Sequence, residues 1–138
     1  MTTSANRAEF DRAIAAWNAG DLDGYLALYD DSLVLHGYTP EPMDRSAAVG
    51  FYRQILASFP GATLVFHDVF QSGDRVTIRF TMHGTHDGDF MGVPPTGRPI
   101  ALDGITVLRF DGERCVERWS SADMLGLLVQ IGAVPAPA

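Results

Sequence analysis

The apolar residues of this chain change period once and change back once, and that order constrains the fold more than any other feature. Before Pro60-Gly61 they recur at helical spacing, as in Phe10, Ala13, Ile14 and Trp17 at i, i+3, i+4 and i+7. After it they alternate, with Val76, Ile78, Phe80 and Met82 on one parity and Thr77, Arg79, Thr81 and His83 on the other. From Asp123 the helical spacing returns in Leu125, Leu128, Val129 and Ile131. Helices first, then a run of antiparallel strands, then a closing helix make an α+β layer in which helices cover one face of a sheet.

Local signals place the elements. The first helix runs from about Ser4 to Asn18, and Asp21 caps a short second one that presents Leu22, Tyr25, Leu26 and Tyr29 on one side. A short strand, Ser32 to Tyr38, carries His36. Pro40 and Pro42 force a loop, and Asp44 or Ser46 caps a third helix that ends at Pro60-Gly61. Ser72-Gly73-Asp74 and Asp111-Gly112 are hairpin turns. The glycine- and proline-rich stretch from Gly84 to Pro99 is a long structured connection. Ile100 and Leu102 lie on one parity and Ile105 and Val107 on the other, so Gly104 is read as a bulge that bends the sheet. Arg114 to Ser121 is the last strand, Asp123 opens the closing helix, Gly132 stands at its C′ position, and the tail from about Val134 is expected to fray.

Composition narrows the function. A chain of 138 residues is the length of one domain, expected here over residues 1–138, and it is large enough to enclose a pocket as well as a core. A net charge of −7 leaves no positive field for a phosphate backbone, so nucleic acid is not an expected partner. No apolar run is long enough for a membrane span, and Met1 to Phe10 are polar. The lone cysteine, Cys115, excludes an internal disulfide and makes a reducing cytoplasm the expected location. No lysine is present, which excludes Schiff-base chemistry.

Three segments carry a resemblance: W-N-A-G-D at Trp17 to Asp21, G-T-H-D-G-D-F-M-G-V-P-P-T-G-R at Gly84 to Arg98, and E-R-W-S-S-A-D-M-L-G-L-L-V-Q-I-G at Glu117 to Gly132. Together they resemble the SnoaL-like polyketide cyclases of the NTF2-like superfamily over nearly the whole chain. The resemblance implies an NTF2-like cone, with N-terminal helices packed on a strongly curved, mostly antiparallel sheet and a short C-terminal helix. It also implies an apolar pocket inside the cone, a homodimer paired through the convex sheet face, and no cofactor. Cyclases of this family form an enolate by removing a proton next to a carbonyl. The resemblance places their catalytic aspartate at Ser120 and their partner histidine at Thr106, so this chain carries hydroxyls at both positions.

The remaining candidates each have a functional and a structural reading. Asp123 is either the acid/base or simply the cap of the closing helix. His36, at a strand end, is a base, a proton shuttle or a satisfied strand residue. His83 is a further catalytic or specificity candidate, while His86 is read as tying down the Gly84 to Arg98 loop and His67 as solvated. The four histidines lack the carboxylate that would complete a metal set, so no metal is expected. Arg118 shares the parity of Ser120 and either faces the pocket or pairs with an aspartate. Trp17, Tyr25, Phe51, Arg118, Trp119 and Ser120 are the expected substrate contacts. The function that follows is a cofactor-independent acid/base enzyme acting on a small hydrophobic carbonyl compound by cyclisation, isomerisation or dehydration. The alternative is a binding module that holds an apolar ligand in the same cone.

Overall fold

The computed structural model describes residues 3–136; Pro137 and Ala138 of the expected frayed tail lie outside the described residues. The elements are α1 (Thr3–Asn18), α2 (Leu22–Leu26), β1 (Tyr29–His36), α3 (Arg45–Ser58), β2 (Thr63–Ser72), β3 (Arg75–Thr85), β4 (Pro99–Asp111), β5 (Arg114–Ala122) and α4 (Met124–Gln130). Five strands form one sheet in the order β1-β5-β4-β3-β2; β1 pairs parallel to β5 and the other neighbours are antiparallel. No helix among the described residues is long and apolar enough to cross a membrane.

Three aspartates start the helices α2, α3 and α4 as the sequence suggests. Asp21, Asp44 and Asp123 accept from the backbone amides of Gly24, Ala47 and Gly126, satisfying donors that a first helical turn leaves free. At the other end, Gly132 closes α4 with φ +81°. Gln130 clamps this helix to β4, accepting from Ala101 N at 2.7 Å and donating to Ala101 O at 2.9 Å. The long connection is tied down by His86, which is fully buried and meets Thr96 Oγ1 at 2.9 Å through Nδ1, and by Ser58, whose carbonyl accepts from Asp87 and Gly88.

Two expectations are corrected. Tyr29 belongs to β1, not to the α2 face, and β1 ends at His36 because Gly37 turns away with φ +110°, so close to β5 that a Cβ there would meet the Ser120 carbonyl at 1.9 Å. Gly104 is no bulge. It keeps register with Phe80 and Ala122, and the burial of β4 alternates without interruption from Pro99 to Asp111. Ile105, 53% exposed, sits on the outer face like its parity neighbours, and it was this apolar outer residue that mimicked a switch of parity. Gly104 instead makes room for Phe80, whose ring would lie 2.6 Å from a Cβ. The register shifts instead between Phe66 and Asp68, between Arg109 and Phe110, and between Tyr29 and Val34.

Candidate active site

The buried faces of the sheet and of the helices line a chamber of about 50 Å³ that is partly open to solvent. Its walls are apolar and aromatic: Trp17 from α1, Tyr52 and Ile55 from α3, Phe80 and Met82 from β3, and Leu102 from β4. Trp17 is held by its indole N–H, which donates to Ala62 O at 3.0 Å, and it meets Tyr25 and Tyr52 edge to face. The chamber shares Tyr38, Phe51, Ile55 and Met124 with an adjoining groove whose outer rim is Phe90 and Met91 of the long connection and Leu128 of α4. Met91 stands 71% exposed at that rim with φ +49°, a left-handed conformation that methionine rarely adopts.

The polar part of the wall is Arg118. Alternation on β5 sends Arg118 and Ser120 inward and Glu117 and Trp119 outward. Arg118 is 7% exposed, and among the described residues every hydrogen-bond acceptor of its guanidinium is a hydroxyl. Nε donates to Ser120 Oγ at 2.9 Å and Nη2 to Thr106 Oγ1 at 3.2 Å. Nη1 lies 2.9, 2.5 and 2.8 Å from the hydroxyls of Tyr25, Tyr29 and Tyr52. The phenols also touch each other, Tyr25 to Tyr29 at 2.6 Å and Tyr29 to Tyr52 at 3.0 Å. Among the described residues no carboxylate pairs with Arg118.

Burial pushes the Tyr29 and Tyr52 phenols well above the ordinary tyrosine range, and the opposing pull of Arg118 does not overcome it. Burial would lower the Arg118 guanidinium, but the surrounding phenols outweigh it and hold the group above its ordinary value. At neutral pH the site is therefore a buried cation inside a shell of neutral hydroxyl groups. Such an array stabilises negative charge that develops on an oxygen in the chamber.

Of the expected substrate contacts, Trp17, Tyr25, Phe51 and Arg118 line the chamber, and Ser120 supports it through Arg118. Trp119 lies on the opposite face of the sheet, its ring stacked on His36 at 5.6 Å with the Arg75 guanidinium over it at 5.3 Å. The three expected acid/base residues also lie off the chamber wall. His36 shares the outer face with Glu117, meeting its Oε2 at 2.8 Å through Nε2. His83 is exposed on the outer side of β3, opposite Thr63 and Ala101. Asp123 is an exposed helix cap. No carboxylate or imidazole is found among the chamber-lining side chains. Sequence reasoning missed Tyr29 and Tyr52 as polar partners of Arg118. The available signal was that an inward-facing arginine has to find acceptors, and three of the four tyrosines stand in the helices and strand opposite it.

Comparisons with known proteins agree with this architecture. Among curated proteins nothing matches the sequence. The crystal structure of AclR from Streptomyces galilaeus, a candidate hydroxylase, aligns at 30% identity and TM-score 0.90 over 99% of this chain and 87% of its own. Wild-type IdmH from Streptomyces antibioticus, a candidate polyketide cyclase, aligns at 33% identity and TM-score 0.79 over 92% and 98%. A SnoaL-like polyketide cyclase candidate from Jannaschia sp. CCS1, at 23% identity and TM-score 0.85 over 96% and 95%, shares the fold. The family model for SnoaL-like polyketide cyclases matches residues 9–131, and on that match and these alignments the chain belongs to the SnoaL-like polyketide cyclase family.

Proposed function

We propose that the protein is a cofactor-independent enzyme of cyclase type that acts on a small hydrophobic carbonyl compound by proton transfer, in the cytoplasm and as a homodimer. The observation that carries this reading is Arg118 with its phenols set into an otherwise apolar, aromatic chamber. A carbonyl oxygen placed against Arg118, Tyr25 and Tyr52 gains charge as the neighbouring C–H loses its proton, and the donors stabilise the enolate more than the ketone. No carboxylate or imidazole is among the described residues that line the chamber, so in this reading water takes the proton. Ring closure, isomerisation and dehydration each follow from the enolate so formed. That same lack of a base on the wall favours the second reading, a module that binds an apolar ligand without converting it.

The two readings separate in one experiment, in which an apolar aryl ketone such as 1-tetralone is incubated with the protein in D2O and α-hydrogen exchange is followed by NMR. The enzyme reading expects exchange at least ~100-fold above buffer, the scale of one well-placed oxyanion donor. Ketone binding with exchange at the buffer rate establishes the binding module instead.

A further inference from the structure

Arg118 poses a charge problem that the protein does not solve by itself. Among the described residues its buried, cationic guanidinium hydrogen-bonds only to hydroxyls, and burial raises the Tyr29 and Tyr52 phenols well above their ordinary range. A buried ion without a counter-ion is disfavoured, and hydroxyl dipoles recover only part of the lost hydration. The titratable groups that face it are Tyr25 from α2, Tyr29 from β1, Tyr52 from α3, Tyr38 beyond β1, and Cys115 on its own strand, and burial raises Tyr29, Tyr52 and Cys115 above their ordinary ranges.

Hydrogen counting leads the same way. The two contacts among Tyr25, Tyr29 and Tyr52 use two phenolic hydrogens, which leaves the third free for another acceptor. When Tyr29 donates one of these two contacts the spare hydrogen is on Tyr25 or Tyr52, both of which line the chamber, so that acceptor has room there. Nη1 has two hydrogens for three phenol oxygens, and the cluster is therefore rich in acceptors on the Arg118 side and has a donor to spare on the chamber side.

We infer that the chamber binds its ligand as an anion whose charge sits on a single oxygen, the enolate of a 1,3-dicarbonyl compound or a phenolate, with that oxygen against the Arg118 and tyrosine cluster and the apolar body toward the Met91 groove. The inference rests on the chamber being the substrate site, as proposed above, and adds the ionisation state in which the ligand is held. A carboxylate fits less well. The Nε and Nη2 edge of the guanidinium, which grips carboxylates with two parallel bonds, is occupied by Ser120 and Thr106. What remains is one phenolic hydrogen and the second Nη2 hydrogen, with no free parallel pair of N–H groups to grip a carboxylate. Binding an acidic enol or phenol in this form releases its proton to solvent and forms no covalent bond.

The test uses three probes of one shape on the unmodified protein: 4-nitrophenol, whose phenolate absorbs visible light and whose phenol does not, 4-nitroanisole, which has no acidic proton, and 4-nitrobenzoate. The expected result is that bound 4-nitrophenol appears as phenolate at a pH where the free probe is protonated. Its apparent pKa falls by at least one unit, a tenfold preference for the anion, and it binds more tightly than 4-nitrobenzoate. Arg118→Gln and Tyr52→Phe, confirmed as folded by circular dichroism, reduce that shift. If 4-nitrophenol binds as the neutral phenol, or 4-nitrobenzoate binds most tightly, the inference is overturned while 4-nitroanisole binding keeps the apolar substrate chamber. If none of the three binds, the chamber reading falls and the inference with it.

Discussion

Thr106 Oγ1 and Ser120 Oγ lie 2.9 Å apart on paired positions of β4 and β5, and both accept from the Arg118 guanidinium. These are the positions where the family resemblance puts a histidine and a catalytic aspartate. Two hydroxyls and an arginine thus give this part of the chamber a positive charge where the family pattern has a carboxylate. The substitution Ser120→Asp tests the consequence. Apolar walls alone would raise the new carboxyl's pKa, but Arg118 Nε, 2.9 Å from the present Oγ, would hold it below the ordinary range. The expected outcome is an internal ion pair with weakened binding of 4-nitrophenolate, by tenfold or more, and little change for 4-nitroanisole. Unchanged phenolate affinity in titrations of the variant would show that Arg118 does not reach the ligand.

Trp17 and Trp119 occupy opposite faces of the sheet, Trp17 on the chamber wall and Trp119 under the Arg75 guanidinium. A nitroaromatic probe in the chamber quenches an indole it touches. In single-tryptophan variants, Trp119→Phe is expected to keep strong quenching by 4-nitroanisole from Trp17. Trp17→Phe is expected to leave the Trp119 emission nearly unchanged. Equal responses would place the ligand elsewhere.

Glu117 sits on the outer face between His36, 2.8 Å from its Oε2, and Arg109, 3.2 Å from its Oε1. The His36 hydrogen bond first, with Arg109 adding to it, lowers the Glu117 carboxyl below the usual carboxylate range. A group lowered in the folded state stabilises above its unfolded pKa and loses that contribution as pH falls through the folded value. Glu117→Gln should therefore melt below the parent at pH 7, and the gap should close on acidification through the carboxylate range. A gap that stays constant with pH in paired melting curves would assign the effect to shape, not charge.

The layer order was legible because period is a one-dimensional signal, and the caps were legible because Asp21, Asp44 and Asp123 each stand before an apolar run. Arg118 shares the parity of Ser120, which left it either facing the pocket or paired with an aspartate. Its partners were not legible, because Tyr25, Tyr29 and Tyr52 come from three elements whose mutual packing no local pattern encodes. The face of His36 was hidden for a different reason: Leu33, Val34 and Leu35 are all apolar, so the sequence does not show which parity of β1 turns inward. Gly104 misled because a parity rule assumes a polar outer face, and here that face carries Ile105 and Val107.

That outer face makes its own prediction. Phe70, Thr77, Val107, Trp119 and His36 are successive partners across β2, β3, β4, β5 and β1, forming a band over the whole sheet. Phe70 is 66% exposed, and a band with this much apolar surface is suited to cover by a second copy. Sedimentation equilibrium at micromolar concentration is expected to return twice the 15.0 kDa protomer mass, and Phe70→Glu to shift it toward one protomer. A parent protein sedimenting at the protomer mass would refute the homodimer.

Asp123 separates a structural from a catalytic role most cleanly. Its Oδ1 accepts from Gly126 N at 2.9 Å, its own amide donates to Asp103 O at 2.9 Å, and its side chain is exposed and absent from the chamber wall. A cap needs only an oxygen acceptor, which asparagine also supplies. Asp123→Asn should thus leave both the melting temperature and the ketone exchange rate near those of the parent. Asp123→Ala loses the acceptor and about 1 kcal/mol, which for a chain of this length is a fall of roughly 4 °C, again without a change in exchange once the protein is folded. If Asp123 were the base, the pattern would invert: asparagine would keep the fold and abolish exchange. A drop beyond ~10-fold in Asp123→Asn at unchanged melting temperature would move the chemistry from the Arg118 cluster to the helix cap, since general-base catalysis contributes on that scale or above.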